Sequence, residues 1–310
     1  MCTTVAKNGD GLIFGRNMDI EEGFGERLIL VPRAYPISYK MCKCSNHHFA
    51  FMGIGTVIDG YPLFAEAVNE FGLCVAGLNF VGNACYWREN RSKDNIAPYE
   101  LIPWLLSTCK TISDAISKLK RVNIISVPFK RDVPLPQLHF HIADKRGSIV
   151  YESIREGSRI YKNPAGVVTN NPGFDTQLAL ISNYGALSNR MGSDGLSFVK
   201  PYSLGLGAYG LPGDYSSTSR FARAVFVKRF SKWEKGNELF QMMRILDSVA
   251  VPKGCVLTEE GMEHYTLYQS VIDARECVYY FRPYGSMDTS RIEMFSMDTD
   301  GDILTEIDIH

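Results

Sequence analysis

The sequence has no long hydrophobic run. Charged residues interrupt every stretch of the 310-residue chain well before the roughly 20 apolar residues that a membrane-spanning helix needs, so no membrane partner is expected. The first ten residues, MCTTVAKNGD, hold no apolar core of a signal peptide, and a cytoplasmic location is expected. Basic excess is missing too. The 33 Lys and Arg against 34 Asp and Glu leave a net charge of −1, which argues against a nucleic-acid partner. Repeats, low-complexity tracts and linkers are absent, so a single domain over residues 1–310 is expected. The eight cysteines (Cys2, Cys42, Cys44, Cys74, Cys85, Cys109, Cys255 and Cys277) are scattered and read as reduced thiols. Cys42-Lys43-Cys44-Ser45-Asn46-His47-His48 has metal-binding residue types but none of the usual zinc spacings, and reads better as a polar hairpin tip. A non-catalytic metal protein using Cys42, Cys44, His47 and His48 is the alternative class. Neither a metal nor a cofactor is expected.

What is present is a 45% hydrophobic chain, ample for a core, with chemistry concentrated at its start. Cys2 is the one cysteine that removal of Met1 would turn into a terminus. It would then carry a thiol and a free α-amino group on one residue. An α-amino group titrates near 7.7–8.0 and a thiol near about 8.5, so the amine can serve as the base for its own nucleophile. Cys2 to Ala6 alternates as a strand does, Asn8-Gly9-Asp10-Gly11 is a turn signal, and Leu12 to Asp19 reads as the return strand. The hairpin brings Arg16 and Asp19 beside the chain start. Arg16 favours a thiolate by charge and Asp19 can hold the α-amino group. A surface ion pair on a strand end is the alternative for both.

Further along, Glu26 to Tyr39 reads as a strand broken by Pro32 and Pro36, and His48 to Ile58 as another. Tyr61 to Phe71 has a helical or turn-rich pattern, and Leu73 to Phe80 is an apolar strand with Asn79 near its end. Helices are expected over Ala97 to Cys109 and over Ser113 to Val122, the latter capped by Ser113 or Asp114. Leu138 to Ala143 and Ser148 to Ile154 form a hairpin, and Gly166 to Thr169 a strand. Helices follow from Asp175 to Tyr184, after Ser216 to Ser219, and over Asn237 to Val249. Strands return at Tyr265 to Ile272, Glu276 to Arg282 and Ile292 to Ser296. Residues 192–213 read as a long glycine-rich arm. Within it Gly205-Leu206-Gly207-Ala208-Tyr209-Gly210 matches the dinucleotide fingerprint, but Leu211-Pro212-Gly213-Asp214 would stop the helix that motif must open. The pattern is an α+β fold of layered sheets and helices.

Met1-Cys2-Thr3, Phe14-Gly15-Arg16-Asn17-Met18-Asp19, Gly77-Leu78-Asn79-Phe80, Val168-Thr169-Asn170-Asn171-Pro172, and Gly210-Leu211-Pro212-Gly213-Asp214 with Ser219-Arg220-Phe221 together resemble the choloylglycine hydrolase family. This group of N-terminal-nucleophile amidases holds the bile salt hydrolases and penicillin V acylases. The resemblance runs through essentially the whole chain, in order. It implies a four-layer αββα fold of two stacked antiparallel sheets between helix layers, and removal of Met1. It implies that Cys2 is nucleophile and base, that Arg16 and Asp19 flank it, that Asn79 and Asn170 serve the oxyanion hole, and that Arg220 is a second active-site arginine. Met18, Phe24, Ile58 and Leu138 fall at or near positions lining the family's steroid pocket; an aromatic is common where Ile58 stands. Asn79, where studied penicillin V acylases carry Tyr, tilts the resemblance towards hydrolysis of glycine- or taurine-conjugated bile salts, with penicillin V or another acyl amide as the alternative substrate. An arm at about 185–213 accompanies a homotetramer in the family.

Overall fold

The computed structural model describes residues 1–42, 46–191 and 204–309. The chain opens with the hairpin β1 (Cys2–Asn8) and β2 (Leu12–Ile20), in register Cys2↔Met18 and Thr4↔Arg16. Then come β3 (Arg27–Val31), β4 (Phe51–Ile58), β5 (Tyr61–Asn69) and β6 (Cys74–Asn79). A short parallel pair, β7 (Asp94–Ile96) and β8 (Val122–Ile124), brackets helices α1 (Leu101–Leu106) and α2 (Ile112–Leu119). Strands β9 (Leu138–Asp144), β10 (Gly147–Ile154) and β11 (Gly157–Lys162) meander, followed by β12 (Val167–Val168). Helices α3 (Phe174–Leu180), α4 (Ser217–Phe230) and α5 (Glu238–Asp247) lead to β13 (Tyr265–Asp273), β14 (Val278–Pro283), β15 (Ser290–Glu293) and β16 (Thr305–Ile307).

Two antiparallel sheets result, one ordered β12-β1-β2-β13-β14-β15 and the other β11-β10-β9-β6-β5-β4-β3-β16. Strands β1 and β2 lie against β6 and β9 of the other sheet, α4 and α5 cover the first sheet, and α1 and α2 cover the second, giving the αββα layering. Coverage on both faces explains why the strands are nearly continuously apolar, although antiparallel sheets often leave one face to water. The period-2 alternation is still readable: Leu28 and Leu30 of β3 join the core shared with the first sheet, while Ile29 and Val31 join the core under α1 and α2.

Several expectations change. Tyr61 to Phe71 is no helix; Tyr61–Asn69 is the strand β5, paired to both β4 and β6. Neighbouring strands overrode the local pattern. Gly53 and Gly55 permit the close approach of β4 to β5, because a Cβ at either would collide with the β5 backbone. The cap of α2 is Thr111, which accepts from the Asp114 N–H and whose own N–H donates to the Asp114 carboxylate. The strand expected at Ile292 to Ser296 ends at Glu293 and gives way to a 3₁₀ turn. Residues 192–203 of the expected arm lie outside the described residues. Its glycine motif makes one 3₁₀ turn at Leu206–Ala208 and opens no α-helix, so the nucleotide fingerprint is a coincidence.

Candidate active site

Alternation along the first hairpin divides the site in two. Cys2, Arg16 and Met18 face the second sheet, whereas Thr3, Asn17 and Asp19 face the helix layer. On the inner side, Arg16 Nη2 lies 3.2 Å from Cys2 Sγ, and Met18 Sδ lies 3.7 Å from the same sulfur. Arg16 is 2% exposed. Its Nη1 donates to the Ala65 carbonyl at 2.7 Å and faces Glu66 Oε2 at 3.2 Å. Burial opposes the Arg16 charge, but Cys2 and Glu66 more than offset that, and the guanidinium is held above its ordinary value. Glu66 is itself fully buried and takes hydrogen bonds from Ser270 Oγ at 2.8 Å and Tyr268 Oη at 3.1 Å. Burial raises its carboxyl above the ordinary range, against the pull of Arg16, Ser270 and Tyr268.

On the helix side, Arg220 of α4 is completely buried. Its Nη1 donates to the Cys2 carbonyl at 2.6 Å and to Thr3 Oγ1 at 2.7 Å; its Nη2 donates to Asn170 Oδ1 at 2.8 Å. Burial holds this guanidinium below its ordinary value, with Asp19 and Cys2 pulling the other way. Asn170 Oδ1 also accepts the Cys2 N–H at 2.9 Å, and Asn170 Nδ2 donates to the Asn79 carbonyl at 2.8 Å. Asp19 Oδ1 accepts from Thr266 Oγ1 at 2.6 Å. A register shift between Thr266 and Tyr268 in the β2–β13 pairing sets that threonine opposite Asp19. Asp19 Oδ2 is buried and, among the described residues, has no hydrogen-bond partner; Arg220 Nη1 stands 3.7 Å away.

A cavity of about 290 Å³ opens over Cys2. Met18, Phe24 and Leu138 line it; Ile58 does not, and Thr56 and Leu63 of the same hairpin end do. Asn79 lies on its wall, exposed, with its side-chain amide free of any hydrogen bond among the described residues. All six expected chemical residues therefore converge at the chain start. Glu66 was not legible, because β5 was read as helical; a lone Glu between Ala65 and Ala67 in an apolar stretch was the available signal. His264 was missed as well, being an isolated loop histidine in sequence; its Nε2 lies 2.5 Å from the Met1 nitrogen. The metal alternative fares poorly: both nitrogens of His48 are taken by the Phe49 and Tyr35 carbonyls, and Cys44 lies outside the described residues.

Residues 2–305 match the sequence profile of linear amide C–N hydrolases, choloylglycine hydrolase family. The chain is 41% identical over 303 residues to the bile salt hydrolase/transferase of Lactiplantibacillus plantarum, covering 96% of this chain and 93% of that one. Its fold superposes on the C2A mutant of the conjugated bile acid hydrolase from Clostridium perfringens with a TM-score of 0.92 at 32% identity, covering 100% of this chain and 97% of the other. The penicillin V acylase of Agrobacterium tumefaciens shares the fold, with a TM-score of 0.79 at 21% identity over 98% of this chain and 90% of that one.

Proposed function

Because the chain belongs to the choloylglycine hydrolase family of linear amide C–N hydrolases, we propose that it cleaves glycine- or taurine-conjugated bile salts to free bile acid and amino acid. The observation that carries this reading is the placement of the Cys2 thiol, 3.2 Å from a buried guanidinium, at the base of an apolar cavity able to take a bulky acyl group.

Removal of Met1 leaves Cys2 with an α-ammonium group. Asn170 Oδ1, already 2.9 Å from the Cys2 nitrogen, keeps that group in place, and the unpartnered Asp19 Oδ2 is the carboxylate oxygen available to it. The charges then balance: Arg16 and Arg220 against Glu66 and Asp19, and the α-ammonium against the Cys2 thiolate. Loss of the ammonium proton to the departing amine fits this arrangement. The thiolate attacks the amide carbonyl, and the oxyanion meets the free side-chain amide of Asn79 and the second N–H of Asn170. One such donor is worth about 2.7–4 kcal/mol in the transition state. The α-amino group protonates the leaving glycine or taurine, then takes a proton from water as it cleaves the thioester. Asn170, whose two ends already engage Cys2, Arg220 and Asn79, is thereby as much a positioning residue for the α-amino group as an oxyanion donor.

The same reading includes a cytoplasmic enzyme, supported by seven unpaired thiols among the described residues, and a homotetramer assembled through the arm at about 185–213, where Tyr209 is 87% exposed. Glycine release from glycocholate, taurine release from taurocholate and hydrolysis of penicillin V, measured side by side, test the substrate. Penicillin V cleaved with cholyl amides untouched would move the enzyme to the acylase branch. Active protein whose intact mass retains Met1 would sink the mechanism.

A further inference from the structure

Freeing Cys2 does more than expose an amine. With Met1 in place the first strand runs one residue further: the Met1 ammonium donates to the Asp19 carbonyl at 2.7 Å, and the Asp19 N–H donates to the Met1 carbonyl at 3.1 Å. The same ammonium lies 2.5 Å from His264 Nε2, while His264 Nδ1 lies 2.7 Å from Glu21 Oε1. His264 is 8% exposed, so it is a built part of this nook and not a mobile surface ring. Departure of Met1 strips the Asp19 carbonyl, the Asp19 N–H and His264 Nε2 of their partners together, beside the Cys2 nitrogen.

The amine half of a substrate has to come to that place. The Cys2 α-amino group must hand it a proton, so the scissile nitrogen lies within hydrogen-bond reach of the atom to which the Met1 carbonyl carbon was bonded. The acyl cavity offers its charged end no alternative: Arg16 is engaged by Cys2, Ala65 and Glu66, and Asp19 carries the wrong sign. The Asp19 carbonyl and His264 Nε2, bridged by one nitrogen while Met1 is present, are no more than about 5 Å apart. An amide nitrogen and an acid group separated by one or two carbons span that gap.

We infer that the nook vacated by Met1 is the binding site for the amine half of the conjugate: the scissile N–H meets the Asp19 carbonyl, and the carboxylate or sulfonate meets His264 Nε2, with Glu21 holding the opposite nitrogen of the ring. The inference rests on the proposed amidase reading and assigns His264 the recognition of an anionic head.

The test compares kcat/KM for cholylglycine, cholyltaurine and cholylethanolamide, the last an uncharged head of similar length. Wild-type protein should favour the two charged heads. His264→Ala should lower their kcat/KM relative to the ethanolamide on the order of ten- to a hundredfold, through KM, as expected for a lost charge-assisted hydrogen bond. His264→Gln, which keeps a donor, should recover part of the ratio, and Glu21→Gln should shift it in the same direction by less. Should His264→Ala fail to fold, the half-exposed Glu21 variant carries the same ratio test. A wild-type ratio near one, or a His264→Ala variant in which all three substrates fall by one common factor, overturns the assignment. Wild-type protein that cleaves none of the three refutes the amidase reading, and the head-group site falls with it.

Discussion

Arg16 and Arg220 are both buried within reach of Cys2, yet they are built differently. Arg16 has its own carboxylate at 3.2 Å, supplied by the second sheet, and turns its other amino group on the sulfur. Arg220 spends its donors on the Cys2 carbonyl, Thr3 and Asn170, and its nearest carboxylate, Asp19, stands 3.7 Å off with one oxygen unpartnered. Charge matched at the sulfur and unmatched at the nitrogen is the pattern expected of a residue that attacks with one atom and shuttles protons with the other. On the proposed mechanism the difference assigns tuning of the thiolate to the Arg16 side, whereas the Arg220 side leaves room for an α-ammonium that Met1 still blocks.

The strongest way to break the comparison is to remove the atom both sides serve. Cys2→Ala should abolish glycine release from glycocholate while keeping a wild-type melting temperature, because one small side chain at a strand start contributes little to the core. The exposed Cys255 provides the control, and Cys255→Ala should retain turnover. Release at the wild-type rate by Cys2→Ala would end the N-terminal-nucleophile reading.

Next in size is the nitrogen side. Asp19→Asn leaves Arg16 and the thiol untouched but deprives the α-amino group of its carboxylate. We expect kcat to fall about 10²- to 10³-fold, within the range of general acid–base contributions. Alkylation of Cys2 by iodoacetamide should proceed at nearly the wild-type rate. Equal losses in both assays would erase the distinction between the two sides.

Arg16→Gln should show the opposite split. Arg16 Nη2, 3.2 Å from Sγ, is the cation that faces the sulfur, so its loss should slow alkylation on the order of tenfold or more and reduce kcat in parallel. Glu66, left without its cation, would be pushed towards its protonated form by burial, against the pull of the Ser270 and Tyr268 hydroxyls. Unchanged alkylation would assign Arg16 to scaffolding.

Sequence alone reached one residue on each side of Cys2, Arg16 and Asp19, and no further, for a physical reason. Arg16, Asp19 and Cys2 share one tight hairpin, so turn chemistry and period-2 alternation were enough to bring them together. Asn79, Asn170 and Arg220 come from distant elements and became legible through resemblance, since no local pattern says that α4 aims its arginine at β1. Glu66 and His264 were invisible. Glu66 depends on β5 being a strand, which is decided by β4 and β6 and by two glycines that let the backbones close up. His264 acquires its position from β13 pairing against β2, more than 240 residues away in the chain. Resemblance put Ile58 at or near the pocket wall; the wall is lined by Thr56, two residues earlier on the same strand, and by its partner Leu63.

The smallest expected effect sharpens the comparison most. Glu66→Gln keeps the shape of the side chain and removes only the charge that balances Arg16. The charge of the guanidinium, still hydrogen-bonded to the Ala65 carbonyl, then has Cys2 as its close partner, so alkylation should not slow and should quicken modestly, while kcat changes by a few-fold at most. The pH dependence of stability supplies the independent check. Burial raises the Glu66 carboxyl above its ordinary value of 4.5, so the folded chain keeps this proton to higher pH than the unfolded chain does. The contribution of Glu66 to stability is therefore fully present below about pH 4.5 and is lost as pH rises through its folded-state value. Glutamine mimics the protonated form at every pH and lacks that loss. Between about pH 4 and about pH 7 the melting temperature of Glu66→Gln should rise relative to wild type, whatever the offset between the two proteins at the acid end. Parallel melting curves across that range would mean that Arg16 fully compensates the buried carboxylate. The two arginines would then differ in position alone, and not in how their charge is held.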